Sequence, residues 1–163
     1  GVLESRQGAG VFVTALDPGE DWDTVLRRAS VVAVIEARIA IEAEAAALAA
    51  ARRTPADLRT IRRALAERTA PDQSIPEHVD ADMAFHRAII AAAHNEVLTQ
   101  LFDAFLPRLR RSMIEMLKIR PVPSEADDHA AHEVLTEAIA RRDAAGAALS
   151  SRTHLTSLKE MLR

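Results

Sequence analysis

Apolar residues recur every three or four positions along most of this chain, and that spacing constrains its fold more than any other feature. Such a stripe covers one face of an α-helix, whereas a strand would alternate at every second position. Aromatic residues make up only 3% of the sequence and tyrosine is absent, although both favour sheets. The chain is therefore predicted to pack helix on helix. The clearest stripe comprises Leu98, Leu101, Phe102, Phe105, Leu109, Met113 and Met116.

Capping residues, prolines and glycines divide the chain into predicted helices. Thr54 is a good N-cap and Pro55 a good first residue, while Asp143 can cap the last helix. Pro107 lies inside the fifth segment and is expected to kink that helix or split it in two. With 163 residues, the chain is long enough for one domain with a sizeable core. The predicted segments are residues 21–30, 31–53, 55–68, 76–95, 96–119, 124–142 and 143–163.

Residues 1–14 differ from the rest. Two β-type runs, Val2-Leu3-Glu4 and Val11-Phe12-Val13, flank a turn at Gln7-Gly8-Ala9-Gly10. We predict a hairpin there, with an ordinary disordered terminus as the alternative. Because two strands alone are marginal in water, the hairpin is expected to be the tail of a domain whose first part is missing. The predicted fold class is thus an all-α antiparallel bundle of six or seven helices, preceded by a short β-hairpin.

Charge and composition exclude several classes of function. The net charge of −3 argues against an extended nucleic-acid-binding surface in this chain. Cysteine is absent, which excludes disulfides and thiolate metal ligands. No apolar run approaches the roughly 20 residues that span a bilayer. These features predict a cytoplasmic protein without a membrane partner.

One predicted helix carries two polar residues on an apolar stripe. His86 lies in line with Val79, Met83 and Ile90, and Asp82 borders the same stripe one turn earlier. Polar groups on a buried face lower stability unless something satisfies them. A divalent metal held between a carboxylate and an imidazole would do so.

Two further histidines are predicted to lie at the same height in a helical hairpin. The turn at Arg142-Asp143 is so short that the helices on either side must pack antiparallel. His132 lies about ten residues before that turn and His154 about eleven after it, which at 1.5 Å per residue is roughly 15–17 Å for both. Together with Asp82 and His86 they offer three imidazoles and one carboxylate. That set suits a divalent metal ion, with zinc favoured and nickel, manganese or iron as alternatives.

Each of these residues also has a plainer interpretation. A lone histidine on an apolar stripe is often a hydrogen-bonded core residue, and Asp82 alone could be a surface acid. His78 and His129 each lie one turn or less from a candidate and are rival ligands, whereas His94 is expected to cap a helix C-terminus.

Four segments of the chain stand out together: Ser5-Arg-Gln-Gly8-Ala-Gly10-Val-Phe12-Val, Glu36-Ala-Arg38-Ile-Ala-Ile-Glu42, Asp82-Met-Ala-Phe-His86 with Ala92-Ala-His-Asn95, and His132-Glu-Val-Leu-Thr-Glu-Ala-Ile139 with His154. In this order they resemble the wing and the C-terminal ligand-binding domain of the FadR subfamily of GntR-type bacterial transcription regulators. The resemblance extends over about residues 2 to 160. The first segment matches the wing of a winged helix-turn-helix DNA-binding domain, and the others match helices of the effector (FCD) domain.

The resemblance implies a metal site and an effector contact. Many members hold a metal with an aspartate, a histidine four residues later and two later histidines, which match Asp82, His86, His132 and His154. An arginine on the first long helix, matching Arg38, can pair with an effector carboxylate. Arg38 could instead form a structural ion pair with Glu36 or Glu42. Because all four metal positions are present, the chain resembles the metal-binding branch rather than the acyl-CoA branch.

The function implied is that of a metabolite sensor. Residues 1–14 would be a wing remnant, 15–20 a linker, and 21–163 a helical domain that binds a small carboxylate or hydroxy acid and forms a homodimer. Operator DNA is expected to be a partner of the full-length protein only, since the helices that would enter the major groove are absent. A helical-bundle metal-dependent hydrolase is the enzymatic alternative, and a purely structural module is the third.

Overall fold

The structure, a computed structural model, describes residues 3–6, 10–13, 25, 29–119 and 125–161. Within them the chain forms two short strands and six α-helices, which confirms the all-α class. The helix α1 packs most extensively against α6 and also contacts α3, α4 and α5, so it is the central element. The elements are β1 (Leu3–Arg6), β2 (Gly10–Val13), α1 (Val31–Arg52), α2 (Pro55–Glu67), α3 (Ile75–Ala92), α4 (Glu96–Ile119), α5 (Glu125–Ala140) and α6 (Ala144–Met161).

The two strands pair antiparallel, with Leu3 opposite Val13 and Arg6 opposite Gly10. Residues 7–9, where a turn was expected, lie outside the described residues, and so does most of the predicted helix over 21–30. The assignment of this segment to a wing remains a prediction.

The predicted caps are formed. The Asp57 backbone N–H donates to the Thr54 hydroxyl over 3.2 Å, and the Asp57 carboxylate accepts from the Thr54 N–H over 2.7 Å. This reciprocal pair is a capping box at the start of α2. At the start of α6, the Gly146 N–H donates to the Asp143 carboxylate over 2.8 Å. The short turn before Asp143 is also as predicted, and Arg142 there has a φ of 60°.

Pro107 does not split its helix. The helix α4 runs without a break from Glu96 to Ile119 with Pro107 inside it, so of the two predicted outcomes, a kink or a split, the split does not occur. A proline removes one backbone donor and crowds the preceding turn. Here Phe105 and Leu109 on either side are buried in the core, and that packing offsets the local cost.

The core consists of apolar clusters with polar side chains between two of them. On α1 the buried Arg38 and Glu42 lie between Ile35, which belongs to one cluster, and Ala46, which belongs to another. On α3, His86 lies between Met83, which belongs to the cluster of Ile35, and Ile89, which belongs to the cluster of Ala46. The fold therefore buries charged and titratable groups near the middle of the bundle. Of the helices described, none combines the length and hydropathy needed to cross a membrane.

Candidate metal centre

Three histidines from three helices converge in the bundle. His86 on α3, His132 on α5 and His154 on α6 each offer a nitrogen within 4.8 Å of the others. The rings of His132 and His154 are closest, with centroids 4.2 Å apart, as their equal distance from the α5–α6 turn predicts. His86 and His132 are almost fully buried, and His154 is 14% exposed. The candidates identified from the sequence are thus brought to one place.

The fourth candidate, Asp82, adjoins two of these histidines. Its Oδ1 atom lies 3.3 Å from His132 Nε2, and its Oδ2 atom lies 3.8 Å from His86 Nε2. Burial raises the pKa of Asp82, but the positive charge that His86 would carry when protonated, the contact with His132 and the charge of Arg68 together hold it well below the usual 3.8. The side chain is therefore a carboxylate at neutral pH.

Outer partners fix the orientation of two of the rings. His86 Nδ1 lies 2.7 Å from a carboxylate oxygen of Glu42, and His132 Nδ1 lies 2.6 Å from the backbone oxygen of Asp128. Because both partners only accept, each Nδ1 must carry the hydrogen, and the tautomer is assigned on that basis. In the neutral rings the Nε2 lone pairs then face the centre, which is how metal-binding histidines are held.

The donor set fits a divalent cation. The Nε2 atoms of His86 and His132 lie 3.4 Å apart, and with both Nδ1 atoms donating elsewhere they would face each other as two acceptors. Asp82 brings a further acceptor to the same point. Three imidazoles and a carboxylate are a common ligand set for zinc and related metals. A bound cation would turn this repulsive arrangement into a favourable one.

His154 is held in the neutral form that metal ligation requires. Burial, and then the positive charge that His132 and His86 would carry, lower the pKa of His154 from 6.5 to about 3. The carboxylates of Asp82 and Asp128 oppose this shift without cancelling it. An imidazole with such a pKa is unprotonated at neutral pH.

Arg68, the last residue of the helix predicted over 55–68, connects two carboxylates at the centre. Its Nε atom donates to Asp82 over 3.0 Å and its Nη2 atom to Asp128 over 2.5 Å. The Arg68 side chain is only 2% exposed. It therefore balances the charge of both acids and fixes where they point.

Arg38 lies behind Glu42 rather than at the centre itself. Its Nε atom donates to the Glu42 carboxylate, whereas the buried Nη1 and Nη2 atoms have no hydrogen-bond partner among the described residues. Although burial raises the pKa of Glu42, Arg38 and His86 lower it to about 2. A chain of contacts thus runs from Arg38 through Glu42 to His86. Of the two ion pairs considered for Arg38, the one with Glu42 is formed.

The remaining histidines lie outside the three-histidine group. His78 borders the adjoining cavity, and His129 Nε2 lies 3.5 Å from a carboxylate oxygen of Glu133. His94 follows the end of α3 with a φ of 49°, and its Nε2 lies 2.8 Å from the Asp57 carboxylate. His94 therefore lies at the C-terminal end of a helix, as predicted.

A cavity of about 320 Å³ adjoins the centre and is bordered by Asp82 and His154. A second cleft, of about 460 Å³, shares His78, Leu117 and Asp128 with it and is bordered by Arg68. Arg38 borders neither of them. A small molecule in the first cavity would therefore meet two of the four candidate ligands, Asp82 and His154, directly.

Glu42, Arg68 and Asp128 are parts of the centre that sequence reasoning did not assign to it. Asp128 precedes His132 by four residues, which is one helical turn, and that spacing was the available signal. Glu42 was considered only as a partner of Arg38. Nothing in the sequence near Arg68 indicates its role, because it depends on how α2 packs.

Comparisons with known proteins agree with this architecture. The FCD domain family matches residues 33–157. A protein of Escherichia coli (strain K12), named as a regulatory protein of the L-lactate dehydrogenase operon, is 33% identical over 96% of this chain. The chain spans 64% of that relative's length. The transcriptional regulator LutR of Bacillus subtilis (strain 168) is 28% identical over 99% of the chain and 78% of its own length.

Solved structures of similar proteins share the fold. A GntR protein of Streptococcus agalactiae superposes with a TM-score of 0.67 at 21% sequence identity. The superposition covers 98% of this chain and 74% of the Streptococcus chain. A GntR family member from Pseudomonas syringae pv. tomato superposes with a TM-score of 0.68 at 18% sequence identity. That superposition covers 99% of this chain and 62% of the Pseudomonas chain. At these identities the similarity concerns the fold alone.

Proposed function

Since the chain belongs to the FCD domain family and its relatives are GntR-type transcription regulators, we propose that it senses a small carboxylate or hydroxy-acid effector through a bound divalent metal. The relatives are regulators and not enzymes, and nothing in them favours the hydrolase alternative. The observation that carries the proposal is the convergence of His86, His132 and His154 beside Asp82.

The metal would be held by Asp82, His86, His132 and His154, with zinc favoured over nickel, manganese or iron. Four protein ligands leave positions open in a five- or six-coordinate geometry, and a bound cation offers these to a carboxylate and a neighbouring hydroxyl. Glu42 and the Asp128 backbone keep His86 and His132 in the ligating tautomer.

Charge in the centre favours an anionic effector. Asp82, Glu42 and Asp128 are acids, and Arg38 and Arg68 are the bases paired with them. These five side chains together carry one net negative charge, so a divalent cation would make the site positive. Two relatives are named for operons of hydroxy acids, L-lactate and galactonate, which agrees with this chemistry.

Arg38 is the residue through which we propose that binding is transmitted. Its two Nη groups are donors without partners in the described part of the chain, and a carboxylate is the group that such a fork binds best. Because Arg38 lies behind Glu42 and outside the cavity wall, contact with an effector requires one of these two side chains to move. Both are on α1, the helix that contacts most of the other described helices. The free energy that couples effector binding to this movement cannot exceed the difference in effector-binding free energy between the conformations before and after it.

We further propose the setting in which the sensor works. Residues 1–14 would be part of the wing of a DNA-binding domain, 15–20 a linker, and 21–163 the effector-binding and dimerisation domain of a cytoplasmic homodimer. Effector binding would change the spacing of two DNA-binding domains on the operator.

The experiment is a calorimetric titration of L-lactate and related 2-hydroxy acids into the chain purified without chelator. We expect binding that disappears after chelator treatment and returns when zinc is added. The His132→Ala variant should lose both the metal and the binding. Equal effector affinity with and without metal would contradict the proposal.

A further inference from the structure

The cavity beside the centre has a polar mouth and an apolar floor. Its exposed lining residues include Asp127, Thr153 and Ser157, while the candidate ligands Asp82 and His154 border one part of it. Most of the wall is apolar. The buried apolar floor is formed by Val79, Met113, Leu117 and Leu158.

The floor leads away from the candidate ligands toward one end of the bundle. On α6, Met161 follows His154 by seven residues, which at 1.5 Å per residue is about 10 Å. On α3, Val79 lies nearly one turn before Asp82, and α4 contributes Met116 and Leu117 near its C-terminus. A fully extended backbone advances about 3.5 Å for every residue, that is, for every three chain atoms. By the same measure, roughly eight atoms of an extended hydrocarbon chain fit along this path.

Three of the four methionines of the chain border the cavity: Met113, Met116 and Met161. Methionine is flexible and polarizable, and it adapts to apolar ligands of irregular shape. The volume of about 320 Å³ equals roughly ten water molecules in the liquid. A three-carbon acid such as lactate, with its six heavy atoms, would leave most of the apolar floor without contacts.

We propose that the effector of this chain is a monocarboxylate with an unbranched hydrocarbon tail, about six to eight carbons in total. The carboxylate, with a 2-hydroxyl, would lie at the end formed by Asp82 and His154, and the tail would lie along Met113, Leu117 and Met161. This inference depends on the proposed function, because the head group is placed at the metal centre. It goes further by excluding short and polyhydroxylated acids as the preferred ligands.

The test is a chain-length series titrated by calorimetry into the zinc-loaded 163-residue chain. The probes are lactate, 2-hydroxybutyrate, 2-hydroxyhexanoate and 2-hydroxyoctanoate, with gluconate as a polar acid of matched length. We expect affinity to rise about fourfold for each added methylene, and 2-hydroxyhexanoate to bind more tightly than gluconate.

The other outcomes separate the two claims. If lactate or gluconate binds at least as tightly as the longer aliphatic acids, and chelator abolishes that binding, the tail assignment is overturned while the proposed function stands. If none of the acids binds the zinc-loaded chain, the proposed function fails and the inference fails with it.

A matched pair of variants on α6 tests the path of the tail. Met161→Gln places an amide where we put the end of the tail, and should weaken 2-hydroxyoctanoate binding by roughly tenfold without changing that of lactate. Leu149→Gln, at a position on the same helix that is 65% exposed, should change neither. An unchanged affinity of Met161→Gln for 2-hydroxyoctanoate, or an equal loss for both acids, would contradict the assigned path.

Discussion

The Nε2 atoms of His86 and His132 lie 3.4 Å apart in the interior of the bundle, although each ring already donates its Nδ1 hydrogen to another acceptor. Two lone pairs facing each other at that distance repel unless a cation lies between them or one ring is protonated. The carboxylate of Asp82, held ionised beside both rings, favours a cation there.

Removal of the metal should destabilise the fold. A ligand present at a thousandfold excess over its dissociation constant stabilises the native state by about 4 kcal/mol. For a chain of this size that corresponds to roughly 10 °C in melting temperature. We therefore expect chelator to lower the melting temperature by about that much at neutral pH, as measured by circular dichroism.

The control for this experiment is a pair of histidine variants. His132→Ala should melt at the same temperature with and without chelator. His94→Ala should keep the response, because His94 pairs with Asp57 outside the centre. A melting temperature of the unmodified chain that chelator leaves unchanged would contradict a stabilising metal.

Glu42→Gln should weaken metal binding although Glu42 is not a proposed ligand. The substitution removes the anion that accepts from His86 Nδ1, and loss of such an outer partner typically costs 10- to 100-fold in metal affinity. It also leaves the buried Arg38 without its counter-ion, which should lower the free energy of unfolding by about 3 kcal/mol. Zinc competition with a chromogenic chelator measures the first effect, and urea unfolding measures the second. Glu36→Gln, on the exposed side of α1, should leave metal affinity as it is.

Arg38→Lys separates effector contact from structure. Lysine keeps a positive charge beside Glu42 but lacks the two Nη donors, which have no partner among the residues that the structure describes. We expect effector affinity to fall by about tenfold or more while metal content stays the same. Arg87→Lys, which alters an exposed pair with Asp103, is the control. Unchanged effector affinity in Arg38→Lys, measured by calorimetry, would leave Arg38 with only its structural ion pair.

The capping box of α2 predicts a pH-dependent contribution to stability. Burial raises the pKa of Asp57, but hydrogen bonds from Thr54 and His94 lower it below the usual 3.8. A carboxyl group with a lowered folded pKa stabilises the fold above the unfolded pKa and loses that effect as the pH falls through the folded pKa. Asp57→Ala should therefore cost about 1 kcal/mol at pH 7, and the difference from the unmodified chain should shrink below about pH 3.8.

Urea unfolding at pH 7 and pH 3, with chelator present throughout, measures that difference. Glu44→Ala, at an exposed position of α1, should show almost no effect at pH 7. A cost of Asp57→Ala that is the same at both pH values would show that the carboxylate charge is not what stabilises the cap.

The fold was predictable because its signals are local. Apolar stripes at helical spacing, the Thr54-Pro55 start and the short turn before Asp143 determine where helices begin and which ones pair. Four-residue spacing placed Asp82 beside His86, and the equal distances of His132 and His154 from their turn placed those two rings side by side.

The rest of the centre was not predictable because it depends on tertiary packing. Arg68 reaches Asp82 and Asp128 only because α2 packs against α3 and α5, and no local pattern encodes that. The contact between Glu42 and His86 likewise depends on how far along its axis α1 meets α3. The continuity of α4 through Pro107 has the same origin, since core contacts on both sides of the proline offset its local effect.

The most direct test of the central claim is a crystal structure of the chain purified without chelator, with diffraction recorded on both sides of the zinc absorption edge. We predict one anomalous peak per chain, about 2.0–2.2 Å from ligand atoms of Asp82, His86, His132 and His154. Those four side chains bonded only to one another and to water, with no anomalous peak among them, would contradict the account.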